Sequence, residues 1–323
     1  MPVEIPKDSW PGAVNTVTLG ATGDQGGSRT STVTIGGERS LPFMHFESPM
    51  PHRPAIAMEI APARPADWSA VLLEAWGATA DDPGSWARAC EEAGADLILL
   101  QFGLKGSGDE PVSADFAVAA VKAVLGSTGL PLVVVGPGQA EVDNSILVPI
   151  ADATKGERLV LGLCEEGNYR TLVAAAMAND HLVLGKTPMD VNLAKQLNIL
   201  MSDMGLGRDR VVMDPTTAAL GYGIEYGYSV MERLRLAALQ GDGMTQFPIL
   251  VTPGAEAWKA KESKVGEGTP AEWGEWRQRG MNWEALTAVS LVEAGAHVVV
   301  LRHPESLRRV RAAIDELMAS ETA

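Results

Sequence analysis

Ala55-Ile56-Ala57-Met58-Glu59-Ile60 opens a rhythm that runs to the end of the chain. Short runs rich in Val, Ile and Leu follow at 96–102, 130–136, 159–164, 181–186, 211–215, 248–252 and 296–302. They mostly lack polar alternation, which is how strands covered on both faces read. The segments between them carry helical spacing. Val118, Val121 and Leu125 share one face, as do Val230, Leu234 and Ala238, and later Leu307, Val310, Ile314 and Leu317. Ser113 stands where a helix cap is wanted, and Pro304-Glu305-Ser306 opens the last helix. Glu92-Ala93-Gly94-Ala95-Asp96 and Glu293-Ala294-Gly295-Ala296-His297 are near-copies, each placing a glycine between a helix and the next strand. Eight strand–helix units predict a (β/α)8 TIM barrel over 55–323. An open doubly wound sheet is the alternative, but no Gly-x-Gly-x-x-Gly follows the first strand.

Working outward, residues 1–54 form a separate extension. The β-branched runs 14–19 and 30–35 flank a Gly-rich stretch and predict a hairpin over one mouth of the barrel or its rim. A phosphate loop would need a Lys-Ser/Thr pair there and a helix after it, and neither is present. The polar stretch 259–280 reads as an ordered loop rather than a linker, because Trp258, Trp273 and Trp276 lie at or within it.

Composition narrows the function classes. The 323 residues are 46% hydrophobic and 21% charged, which excludes a mostly disordered chain. Lys and Arg number 26 against 41 Asp and Glu, so the net charge of −15 disfavours nucleic acid and anionic membranes. No apolar run reaches the ~20 residues of a membrane span, and the start reads as no secretory signal, so a cytoplasmic protein is expected. Cys90 and Cys164 are too few to ligate an iron–sulfur cluster, which takes about four, and read as buried thiols. The five histidines are scattered and none is expected to bind metal.

In a barrel, chemistry collects at the strand C-termini. Polar residues there are Glu59, Gln101, Asp143, Asn144, Glu165, Glu166, Asn168, Lys186, Asp190, Asn192, Asp214, Thr216, Thr217, Arg302 and His303, an acidic and amide-rich set. Lys186 stands where a Schiff-base lysine would, although a salt bridge near Asp190 is the plainer reading. The most informative segment runs from Met213 to Ser229. A strand ends in Asp214, and Thr216, Gly221, Tyr222, Gly223 and Tyr226 follow. Glycines let a flat ligand approach the backbone, and tyrosines offer stacking faces. Asp190 and Asn192 add a second polar cluster on the neighbouring loop.

Several long stretches, in order, resemble a known family. They are 35–38 with 41–47, then 192–198, then 213–239, then 256–262. Across nearly the whole chain the sequence resembles the small, β-type subunit of the corrinoid iron–sulfur protein, also called the delta subunit of acetyl-CoA decarbonylase/synthase. The resemblance implies a barrel paired in a heterodimer with a large subunit that carries a [4Fe–4S] cluster and a corrinoid domain. The corrinoid, a cobalamin-type cofactor, is then shared between that partner and the mouth of this barrel. It carries a methyl group on cobalt from a methyltetrahydropterin methyltransferase to acetyl-CoA synthase, in the reductive acetyl-CoA pathway of carbon dioxide fixation. On this reading the chain is a non-catalytic carrier subunit with no catalytic or metal-ligating residue of its own. Asp190, Asn192, Asp214, Thr216, Gly221, Tyr222, Gly223 and Tyr226 are its candidate cofactor contacts. The 214–221 region also resembles, loosely, pterin-binding methyltransferase barrels, so direct binding of methyltetrahydrofolate is the alternative. Two features of the sequence agree with a capping role: too few cysteines for a cluster, and no Asp-x-His-x-x-Gly motif to ligate cobalt.

Overall fold

A computed structural model describes residues 5–106 and 108–319. Eight short strands run parallel: β3 (Ala55–Ile60), β4 (Leu97–Gln101), β5 (Leu132–Val135), β6 (Val160–Cys164), β7 (Leu182–Lys186), β8 (Val211–Asp214), β9 (Leu250–Val251) and β10 (Val298–Leu301). They follow two antiparallel strands, β1 (Val17–Leu19) and β2 (Val33–Ile35), paired with Val17 opposite Ile35. The parallel sheet has the order β8-β7-β6-β5-β4-β3-β10-β9. A bridge between Met213 and Ile249 joins its two ends and closes the barrel.

The helices follow in step: α1 (Ala70–Trp76), α2 (Pro83–Glu92), α3 (Ala114–Leu125), α4 (Ala140–Ala153), α5 (Tyr169–Asn179), α6 (Val191–Asp203) and α7 (Ile224–Leu239). Then come α8 (Pro253–Lys259), α9 (Lys261–Lys264), α10 (Trp276–Glu293) and α11 (Pro304–Met318). Ser113 caps α3 by accepting from the Phe116 amide, and Asp190 caps α6. Gly94 and Gly295, at φ of 94° and 107°, take the left-handed turn out of α2 and α10 that an L side chain resists.

Strand alternation divides the core in two. Ile56, Met58, Ile98 and Leu100 face the helices. Ala57, Leu99, Val135, Leu184, Val212, Leu250 and Val300 fill the barrel interior. Val17, Leu19 and Ile35 of the hairpin join that interior cluster. The hairpin therefore plugs one mouth, and hydrogen bonds show which. Gly20 N–H donates to Arg158 O, ahead of β6, and Asn15 N–H to Gln246 O, ahead of β9. The buried Arg29 guanidinium donates to Thr128 O and Leu130 O, ahead of β5, and pairs with Glu157. All these partners lie at strand N-termini, so the hairpin leaves the opposite, C-terminal mouth uncovered.

The expected loop over 259–280 is instead largely helical. It holds the end of α8, all of α9, a one-turn helix at Ala271–Trp273 and the start of α10. Its tryptophans explain the order: Trp276 Nε1–H donates to Ser263 O, and Trp258 Nε1–H to Glu284. No helix among the described residues is long and apolar enough to cross a membrane.

Candidate functional site: the open mouth

One step above the last apolar layer, alternation turns six polar side chains toward the barrel axis: Glu59, Gln101, Lys186, Asp214, Thr252 and Arg302. The acidic, amide-rich set expected from the sequence resolves into a balanced ring of two acids, two bases and two neutral groups. Asp143, Glu165 and Glu166 belong to the following helix or loop instead.

The ring has two charged halves. On one side Arg302 grips Glu59 through Nε at 2.9 Å and Nη2 at 2.5 Å, with its guanidinium 4.6 Å above the Trp68 ring. The Arg302 amide donates to Glu284, a fully buried carboxyl whose pKa burial raises. On the other side Lys186 and Asp214 are register partners on β7 and β8. Burial pushes the Asp214 carboxyl up to about 6, against the pull of the Lys186 charge and the Thr216 amide it accepts from. Asp143 is likewise raised to about 6 by burial, with Gly138 N–H donating to it. A Cβ at Gly136 would lie 2.2 Å from Asp143 Oδ1, so only glycine admits this carboxyl beside β5.

The sequence candidates separate into two groups. Asp214 and Thr216 lie at the mouth, and the Thr216 hydroxyl donates to Thr187 O at 2.6 Å, tying the β8 loop to the β7 loop. Gly221 and Gly223 take φ of 77° and 97°, and the exposed Tyr222 donates to Glu262 at 2.5 Å. Asp190 and Asn192 are exposed: Asp190 spends its carboxylate on the Asn192 and Leu193 amides, capping α6. Three expectations change. The Asp190 carboxylate is spent on the Asn192 and Leu193 amides at the helix start rather than on Lys186. Tyr226 stands on α7 rather than on the loop that follows Asp214, since the helix begins at Ile224. Asn168, buried, is spent on the turn after β6, accepting from Glu165 N–H and donating to Leu163 O.

Trp68 and Thr252 were missed. Thr252 was legible by counting two residues on from the inward Leu250. Trp68 lies in irregular chain, where no periodicity marks a direction.

The histidines near this end are structural. His303 Nδ1 accepts from Glu305 N–H and caps α11, its ring stacks on Trp258, and burial holds it down at about 4. Among the described residues no three His, Cys, Asp or Glu side chains converge as a metal site. Cys164 is buried and its thiol is pushed up to about 12.

Comparison with known proteins agrees with this architecture and names the family. Solved structures with the same fold include a Xanthomonas albilineans dihydropteroate synthase with 4-aminobenzoic acid. It has a TM-score of 0.55 and 15% identity, covering 84% of this chain and 94% of that one. A Yersinia pestis dihydropteroate synthase in complex with a sulfonamide drug gives the same values. At that identity the likeness concerns the fold alone. Sequence relatives are much nearer. The acetyl-CoA decarbonylase/synthase complex subunit delta of Archaeoglobus fulgidus is 39% identical over 306 residues, 92% of this chain and 67% of that protein. Subunit delta 1 of Methanosarcina thermophila is 36% identical over 318 residues, 96% of this chain and 72% of that protein. The model of one family matches residues 16–310, and the chain belongs to that family, the CO dehydrogenase/acetyl-CoA synthase delta subunit.

Proposed function

We propose that this chain is the small subunit of a heterodimeric corrinoid iron–sulfur protein, and that its open mouth caps the corrinoid. The observation that carries this reading is the inward ring at the strand C-termini. It is balanced in charge although the chain carries −15, and it offers donors and acceptors side by side. A corrin is fringed by uncharged carboxamides, which both donate and accept. The ring has no histidine, so its donor set suits the macrocycle's periphery and not the cobalt. Cobalt, when the corrinoid is bound, supplies the methyl carriage between a methyltetrahydropterin methyltransferase and acetyl-CoA synthase. The residues of this chain position the ring and exclude water from one face. Asp214, Thr216, Gly221, Tyr222 and Gly223 at the mouth, with Tyr226 beside them, are the proposed contacts. Asp190 and Asn192, at the cap and first turn of α6, are proposed contacts at the adjoining rim. The [4Fe–4S] cluster belongs to the large subunit.

A flat macrocycle on an open mouth leaves its other face in water, so a partner domain must cover it. The test follows directly. The chain expressed alone, mixed with hydroxocobalamin and passed through gel filtration, should retain no corrinoid. The same chain co-expressed with its large subunit should elute with cobalt and iron bound. Stoichiometric corrinoid on the isolated chain would overturn the capping role. Retention of methyltetrahydrofolate by the isolated chain would favour a pterin-binding methyltransferase instead.

A further inference from the structure

We infer that the cleft beside the Glu59–Arg302 pair is a subsite for a primary carboxamide, filled by one amide arm of the corrin. This rests on the corrinoid reading above and adds which part of the ring meets which residues. The cleft has a volume of about 590 Å³ and runs between the segments after β3 and β4. Such a volume lies within the ~300–1,000 Å³ range of small-ligand sites, with room for an arm and part of the ring edge that bears it. Pro62 and Trp68 supply apolar wall, and Arg64, Asp67 and Lys105 line the cleft further out.

Its polar floor is specified atom by atom. Arg302 spends Nε and Nη2 on Glu59, and its face lies on Trp68. Nη1 has no hydrogen-bond partner among the described residues and remains as a donor. Gln101 Nε2 donates to Phe102 O and to Gly136 O, each at 2.8 Å. Both partners are carbonyls, so the nitrogen must face them and the amide cannot be flipped. Oε1 is left as an acceptor. Glu59, Gln101 and Arg302 sit on adjacent strands, β3, β4 and β10: Arg302 one residue past the Leu301–Met58 pair, and Gln101 two residues past Leu99, the register partner of Glu59. The floor therefore offers one donor and one acceptor, with the ion pair neutralised.

A primary carboxamide satisfies both atoms, its oxygen on Arg302 Nη1 and its N–H on Gln101 Oε1. A carboxylate turns an acceptor toward Gln101 Oε1, and an ammonium turns its charge toward Arg302. A polar atom left unpaired against the Arg302–Gln101 floor is costly once the arm excludes water, so the site selects by what it leaves unsatisfied.

The experiment uses the assembled heterodimer, hydroxocobalamin, and hydroxocobalamin derivatives in which one peripheral amide is hydrolysed to a carboxylate. Binding is read by absorbance titration and by cobalt retained after gel filtration. One monocarboxylate should bind wild type at least about tenfold more weakly than the parent, and Gln101→Met should narrow that difference to about twofold. The wild-type comparison stands even if the variant folds poorly. Equal binding of the parent and every monocarboxylate by wild type overturns the subsite and leaves the capping role intact. No corrinoid uptake by the wild-type heterodimer overturns both. The amide could instead come from an Asn or Gln of the partner. In that case Gln101→Met would weaken assembly of the corrinoid-free subunits, and that result also overturns the corrin assignment.

Discussion

Arg302 and Glu59 lie 243 residues apart in sequence and form a two-pronged ion pair, at 2.9 and 2.5 Å, across the joint between the last strand and the first. The pair links β10 to β3 at the level where the mouth opens. It also sets the guanidinium on Trp68 and so shapes the neighbouring cleft. Both side chains are largely withdrawn from water, at 13% and 5% exposure, so each depends on the other.

Removing one partner leaves a buried charge alone. Glu59→Leu should cost about 3 kcal/mol of unfolding free energy, whereas Glu59→Leu with Arg302→Met should recover most of it. Urea denaturation of the two variants checks this. Equal losses in the single and double variants would show that packing, not charge, dominates at this joint.

Asp214 should make stability depend on pH in an unusual direction. Its folded value of about 6 lies above its ordinary 3.8 because burial disfavours the carboxylate. Between those values the folded chain binds more protons than the unfolded one, so this group's contribution falls as pH rises. It is complete below about 3.8 and lost above about 6, a swing on the order of 2–3 kcal/mol. Asp214→Asn keeps the acceptor for Thr216 N–H and should remove the swing. Melting temperatures of both proteins from pH 4 to 8 test it, and parallel curves would contradict the assignment.

The hairpin plug should matter to the barrel as a whole. Leu19 is 2% exposed in the interior cluster. Leu19→Ala should cost about 2–5 kcal/mol, with the loss appearing in the single cooperative unfolding of the barrel. A separate early transition confined to the N-terminal segment would show that the plug folds independently.

Tyr222 separates binding from stability. It is 51% exposed and hydrogen-bonded to Glu262 at the rim. Tyr222→Ala should change unfolding free energy by less than ~0.5 kcal/mol, as exposed positions do. The same change should lower corrinoid retention by the assembled complex. Full retention and methyl transfer by both Tyr222→Ala and Asp214→Asn would remove these residues from the site.

The near-copied turns show how far sequence reading reaches. Their glycines and their places between helix and strand were legible, but the last residue differs, Asp96 in one and His297 in the other. In the folded chain the two do the same work. Asp96 Oδ2 accepts from Ile56 N–H at 2.7 Å, and His297 Nδ1 from Ile249 N–H at 2.9 Å. His181 repeats the arrangement on Leu159 N–H. Scattered histidines thus acquire a structural role at strand entrances, which spacing along the chain does not reveal because the acceptor and the amide belong to different strands.

What the sequence by itself determined is local and periodic. Apolar runs marked all eight barrel strands, because a strand buried on both faces cannot carry polar residues along its length. Glycines and caps marked the turns, because left-handed backbone and free helix amides accept few residue types. The same rhythm brought Glu59, Gln101, Lys186, Asp214 and Arg302 to strand ends. Only the tertiary structure decided which of them meet. Closing the sheet joins β10 to β3 and β8 to β9, so the first strand's glutamate reaches the last strand's arginine. It also sets Asp143 and Glu165, from the following helix and loop, close enough for the Glu165 charge to act on Asp214 and Asp143. Pairing energy depends on distance and burial, and both are set by the closure of the barrel, which no segment of the chain encodes alone.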